Sequence, residues 1–234
     1  MNGGRLHELS ERFAALAPDL PDGAVKEAIS ILHGMIQELW RTSGAPGRGA
    51  ATVVEPALEE LRNLYRKAPK MEGPAVAPGL PVGTPAPDFA LPNAQGELVR
   101  LGDFRGRPVV LVFYPLDWSP GCSQQLDLYQ SEWAEFERRG AVLLGISVDS
   151  IYSHGAWAYV RGLTFPLLAD FHPKGEVARR YQVWREADGF SERALFVVDP
   201  EGTIAYAHVS PFLHHVPDVQ ELLDALDRLT AAQR

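Results

Sequence analysis

Two largely apolar runs, PVVLVFYP at 108–115 and AVLLGISV at 141–148, constrain this chain more than any other feature. A strand with one face in water alternates polar and apolar residues, whereas a run with almost no polar position suits a strand buried on both faces. Between the runs, Leu126, Tyr129, Trp133 and Phe136 keep helical spacing, which predicts a helix from about Cys122 to Arg139 with Gly140 placed to end it. IYSHGAWAYVRG then reads as a helix, FPLLAD as a short strand and KGEVARRYQV as another helix. RALFVVDPEGTIAYAHV reads as two strands joined at DPEG, an antiparallel hairpin. A closing helix carries Val219, Leu222, Leu223, Leu226 and Leu229 on one face. The expectation is an α/β domain over 82–234, with a mixed central sheet covered on both sides.

Upstream the character of the chain changes. Val25, Ile29, Leu32, Ile36, Leu39 and Trp40 form one apolar stripe, and Val54, Leu58, Leu61, Leu64 and Tyr65 form a second. Residues 1–67 are therefore expected as an all-helical N-terminal extension with a packing or dimerisation role. Pro69, Pro74, Pro78 and Pro81 interrupt the next stretch, and helix interiors do not tolerate proline. Residues 68–81 read as a Pro/Gly-rich linker.

Composition excludes several function classes. The formal charge is −8, with no clustered Lys/Arg run, which argues against a nucleic-acid surface. No stretch is apolar and long enough to cross a bilayer, and MNGGRLHELSERF does not read as a signal peptide. A single cysteine cannot form a disulfide within the chain, which fits a reducing compartment. Cytoplasmic location is the expectation. His214 and His215 are adjacent and point apart, and no other histidine has a partner at ligand spacing, so no metal is assigned. His154 is expected to anchor a loop.

The lone Cys122 lies in YPLDWSPGC, where the first buried strand has ended and the next helix begins. The order of elements is compatible with a thioredoxin-like fold, and WSPGC is like that fold's W-C-x-x-C, with Ser119 in place of the first cysteine. At a helix N-terminus, unpaired backbone N–H groups and the positive end of the dipole favour thiolate over thiol. A buried inert cysteine is the competing reading, and the turn chemistry of DWSPG argues against it.

PLDWSPGC also matches the peroxiredoxin signature Pro-x-x-x-Thr/Ser-x-x-Cys through Pro115, Ser119 and Cys122. With PAPDFAL, VVLVFYP, GISVDSIYSHGAW, TFPLLADFHPKGEVARRY and RALFVVDPEGTI, residues 82–230 resemble the AhpC/TSA peroxiredoxin superfamily, in particular its one-cysteine type, alkyl hydroperoxide reductase E. The resemblance implies a thiol-dependent peroxidase without cofactor, acting on hydrogen peroxide or alkyl hydroperoxides and regenerated by an external thiol or a thioredoxin- or glutaredoxin-like reductant. It also implies roles: Cys122 as the nucleophile, Ser119 presenting its hydroxyl to the peroxide, Pro115 shielding the sulfur, and Arg193 stabilising negative charge. Gly121 and Cys122 would donate backbone N–H groups, Gln125 would orient Arg193, and a homodimer is expected.

Each role has a plainer competitor. Ser119 suits a helix N-cap, Arg193 a solvated strand end with Glu192 as a surface partner, and Gln125 an exposed helix position. Two other functions compete. A disulfide reductase needs a second cysteine, which Ser119 removes. A redox sensor or holdase would use the same site without efficient turnover.

Overall fold

The computed structural model describes residues 71–232. The expected extension over 1–67 lies outside the described residues. A hairpin of β1 (Ala90–Pro92) and β2 (Leu98–Arg100) comes first, its turn held by Asn93 Oδ1, which accepts from the backbone of Gln95 and Glu97. The apolar runs form β3 (Val109–Phe113) and β4 (Val142–Ser147), each buried along its whole length. With β5 (Leu167–Ala169), β8 (Ala194–Val198) and β9 (Ile204–Val209) they form one five-stranded sheet in the order β5-β4-β3-β8-β9. The β3–β4 and β4–β5 pairs are parallel, and the β3–β8 and β8–β9 pairs antiparallel, giving the mixed sheet that the element order implies. β6 (Trp184–Arg185) and β7 (Phe190–Ser191) make a separate small hairpin, which hydrophobic patterning does not anticipate.

Side chains alternate across a sheet, so each buried strand serves two cores. Val110, Val112, Tyr114, Leu195 and Val197 face one layer with Cys122, Leu126, Trp157, Leu222 and Leu226. Leu111, Phe113, Leu144 and Phe196 face the other with Phe89, Val177 and Tyr181. The first layer is covered by α1 (Pro120–Ser131), α2 (Trp133–Arg138), α3 (Ile151–Arg161) and α5 (Val219–Ala232), and the second receives α4 (Glu176–Arg180).

The single helix expected from Cys122 to Arg139 is two helices. It breaks at Glu132, which takes φ −93° and ψ 11°. Ser131 Oγ donates to the Leu128 carbonyl at 2.7 Å, and the Glu132 N–H converges on the same oxygen at 3.1 Å. A serine side chain that competes for a backbone acceptor loosens the helix at that point. Trp133 then stacks on Phe165, which aims α2 at the core. Gly140 ends the second helix at φ +65°, a left-handed conformation suited to glycine.

Residues 71–81, the described part of the expected linker, run along the domain rather than away from it. Ala75 N donates to the Pro211 carbonyl, Gly79 N to that of Gln182 and Leu80 N to that of Tyr181. Leu80 is buried.

Candidate active site

β3 delivers the chain to the site, and a buried polar cluster turns it. The Tyr114 hydroxyl donates to Asp117 Oδ1 at 2.8 Å, and Ser153 Oγ donates to Asp117 Oδ2 at 2.7 Å. His154 Nδ1 lies 3.0 Å from Asp117 Oδ2, and the Asp117 N–H donates to Asp149 Oδ2 at 2.9 Å. His154 thus anchors the loop, as expected for it, and it does so through an aspartate that sequence reasoning did not single out. Burial pushes the Tyr114 phenol well above its ordinary range, so it remains a neutral donor. Trp118 then takes φ +62°, and its indole N–H reaches Ser153 Oγ at 3.2 Å. A left-handed non-glycine residue costs roughly 1–2 kcal/mol, which the anchored cluster offsets.

Helix α1 starts immediately afterwards. Ser119 is its N-cap: Oγ accepts from the Cys122 N–H at 3.3 Å, and Pro120 occupies the first helical position, where a missing N–H costs nothing. The capping competitor for Ser119 therefore describes its actual hydrogen bond. Gly121 and Cys122 lie within the first turn, where backbone N–H groups have no carbonyl to bond inside the helix. Cys122 is a free, fully buried thiol, and Pro115 is buried in the loop before it.

Arg193 comes from the residue before β8, the strand antiparallel to β3, with Ala194 opposite Phe113. Its side chain is 1% exposed, which rules out the solvated strand end. Nη2 lies 3.5 Å from Cys122 Sγ, and Nε donates to the Leu213 carbonyl at 2.9 Å. Nη1 donates to Gln125 Oε1, and Gln125 Nε2 donates to the Tyr129 hydroxyl at 3.0 Å. Gln125 is fully buried, so the exposed-helix competitor fails too. Burial pushes Tyr129 up to about 12, which keeps its hydroxyl protonated at neutral pH. The guanidinium thus has its fork divided between a backbone carbonyl, a side-chain amide and the sulfur.

Glu192 is buried, not the surface partner of Arg193 that its position suggests, and its carboxylate pairs with Arg185 Nη1 at 3.1 Å. Its Oε1 also accepts from Val76 N at 2.6 Å and Ala77 N at 3.1 Å. Side chains alternate along an extended segment, so adjacent residues face different neighbours.

A cavity of about 450 Å³ opens at this point, lined by Ser119, Pro120, Gly121 and Arg193 together with Met71 and Leu213. Sequence reasoning missed Leu213, Tyr129 and Met71. Tyr129 stands four residues after Gln125, on the same helix face, which was a usable signal. Leu213 and Met71 carry none, because nothing local connects them to the loop.

A lone thiol at a helix N-terminus, with a buried arginine against the sulfur on a mixed α/β sheet, defines a thiol-redox site built for an anionic sulfur or oxygen. Similarity to known proteins agrees with that class. Residues 82–207 match the AhpC/TSA family. Alkyl hydroperoxide reductase E of Mycobacterium tuberculosis is 41% identical over 153 residues, covering 65% of this chain and 99% of that protein. The putative peroxiredoxin bcp of Coxiella burnetii is 36% identical over 130 residues, 53% of this chain and 85% of the relative. Among solved structures, the reduced 2-Cys peroxiredoxin of Plasmodium vivax has a TM-score of 0.59 at 29% identity, covering 65% of this chain and 83% of its own. Peroxidoxin BcpB of Mycobacterium tuberculosis has a TM-score of 0.57 at 30% identity, covering 63% and 97%. The chain belongs to the AhpC/TSA family and is a peroxiredoxin, a thiol-dependent peroxidase with a single cysteine.

Proposed function

We propose that Cys122 is the peroxidatic nucleophile for hydrogen peroxide and alkyl hydroperoxides. Its thiolate attacks the terminal oxygen of the hydroperoxide, the S–O bond forms as the O–O bond breaks, and the other oxygen leaves as water or an alcohol after taking a proton. The sulfur ends as a sulfenic acid. Negative charge shifts from sulfur to the leaving oxygen during this step, so donors aimed between the two accelerate it. Arg193 Nη2 and the N–H groups of Gly121 and Cys122 are those donors, and the Ser119 hydroxyl orients the peroxide. The Cys122 N–H bond to Ser119 Oγ, at 3.3 Å, is long for its kind, so a peroxide oxygen displaces it at small cost. Pro115 limits water access to the sulfur, and Gln125 holds the arginine. The observation that carries this reading is the 3.5 Å contact between Arg193 and the lone thiol.

Regeneration uses a thiol from outside the chain. That thiol condenses with the sulfenic acid, water leaves, and a mixed disulfide forms on Cys122; a second thiol, or a thioredoxin- or glutaredoxin-like protein, then releases it. The protein works as a homodimer in the cytoplasm, with 82–234 as the peroxidase domain, 68–81 as the connection and 1–67 as a helical extension. The test combines two measurements. Cys122→Ser should lose all peroxidase turnover, and the parent, given one equivalent of peroxide and then a small thiol, should carry a sulfenic acid and next a mixed disulfide by mass spectrometry. Turnover retained by the metal-free serine variant refutes the nucleophile. A Cys122-linked covalent dimer reduced at the turnover rate refutes the external thiol.

A further inference from the structure

Part of the cavity wall lies outside the stretch 82–207 that matches the family. Met71 and Glu72 come from before it, and Leu213 and His214 from after it. These two outlying segments are tied to each other. Leu213 N donates to the Gly73 carbonyl at 3.1 Å, Ala75 N to the Pro211 carbonyl at 2.9 Å, and Pro74 bridges Phe212. Gly73 allows the bend, with φ at +131°.

A buried latch fixes this strap to the domain. The Arg185–Glu192 pair, 7% and 1% exposed, grips its backbone from both sides. Arg185 Nη1 donates to the Pro74 carbonyl at 2.9 Å, while Glu192 accepts from Val76 and Ala77. A free linker would not commit a buried ion pair to its own main chain, because such pairs are costly to desolvate. The strap is also connected to the chemistry. The Leu213 it braces presents the carbonyl that holds Arg193 Nε, and Arg193 touches the sulfur.

Met71 is the apolar side chain that the strap presents here, next to Glu72, and it is half-buried against the core layer that contains Cys122 and Leu126. The cavity it helps to enclose is about 450 Å³, whereas a water molecule occupies roughly 30 Å³ in the liquid. Hydrogen peroxide needs a small fraction of that space. Met71 and Leu213 give the cavity apolar lining beside the polar Ser119, Gln124, Arg193, Glu72 and His214, and such a mixed lining suits a molecule with one peroxidic end and one hydrocarbon end.

We propose that the strap 71–77 is a built part of the peroxide site, with Met71 as a specificity-determining residue that receives the alkyl group of an organic hydroperoxide. This rests on the assignment of the cavity to the peroxide. The test is made on the full-length protein, with rate constants for sulfenic acid formation measured for hydrogen peroxide and for cumene hydroperoxide. Met71→Trp fills the alkyl space and Met71→Glu puts a charge on its wall. Each should lower the cumene-to-hydrogen-peroxide ratio at least tenfold, whatever common change both constants share. A ratio within threefold of the parent in either variant overturns the role of Met71. Arg193→Ala, measured alongside, separates the two levels. If it slows both oxidants while the Met71 ratios stay put, the strap inference fails and the peroxide site stands. If it slows neither, the assignment of the site itself fails, and the strap with it.

Discussion

Replacing Arg193 by alanine removes the positive charge that sits 3.5 Å from the sulfur. Two unit charges at that distance interact by about 5 kcal/mol at an effective dielectric constant near 20. That value is a ceiling for catalysis, because the guanidinium interacts with the starting thiolate as well as with the transition state. Only the difference between the two changes the rate. Loss of one donor to a developing oxyanion costs about 2.7–4 kcal/mol in comparable sites, so sulfenic acid formation should slow by about 10²–10³-fold. The variant also leaves the Leu213 carbonyl and Gln125 Oε1 without their donor, at about 1–3 kcal/mol each if they stay dry. Its melting temperature should therefore fall, and the rate must be measured well below it. Arg193→Lys keeps the charge, but one ammonium cannot serve carbonyl, amide and sulfur together, so roughly tenfold loss is expected. Stopped-flow oxidation monitored by tryptophan fluorescence, checked by dimedone labelling and mass spectrometry, gives both constants. A folded alanine variant that reacts within threefold of the parent rate would refute the reasoning.

Gly121→Ala tests the same geometry from the other side. An added Cβ would sit 3.0 Å from Arg193 Nη2 and push the guanidinium off the sulfur, so peroxide oxidation should slow several-fold with little change in melting temperature. Gln125→Leu removes the amide that receives Arg193 Nη1 and supports Tyr129; about tenfold slower oxidation is expected, with Gln125→Glu retaining most of the parent rate. Excess peroxide should drive Cys122 past the sulfenic acid to sulfinic acid, a gain of two oxygens by mass, with activity not restored by thiol. Away from the site, burial raises the Asp170 carboxyl to about 6, although it accepts from Val177 N and Ala178 N. An unfolded aspartate titrates near 3.9, so the folded chain keeps a proton that the unfolded chain has released, and stability falls as pH rises from about 4 to about 6. Asp170→Asn should remove that decline, as read from urea midpoints at pH 4.5 and 7; a decline as steep as the parent's would show that another group causes it.

The helix expected as one piece, the misplaced Glu192 and the overlooked Leu213 differ in why they were not visible. Glu132 ends α1 through one serine hydroxyl turned onto the Leu128 carbonyl, a rotamer choice that hydrophobic periodicity does not register. The charge of Glu192 was plain, but its partner Arg185 is met only because a small hairpin brings β6 beside β7. Leu213 acts through its backbone carbonyl, and any residue offers one of those.

The sequence by itself determined the parts of this protein that depend on local chemistry. Two largely apolar runs suit doubly buried strands, Ser119-Pro120 can start a helix, and Cys122 then sits in its first turn. The family resemblance pointed to Arg193 as the charge near the Cys122 sulfur, but no local pattern did, and only the tertiary structure decided what encloses the site. Arg193 is 71 residues from Cys122 in the chain and reaches it because β8 pairs beside β3 in one particular register. Met71 and Leu213 meet at the cavity only through the strap and its latch. Periodicity reports which face of an element is buried, because burial acts on each residue separately. Register and long-range contact depend on how whole elements fit together, and no single residue type encodes that.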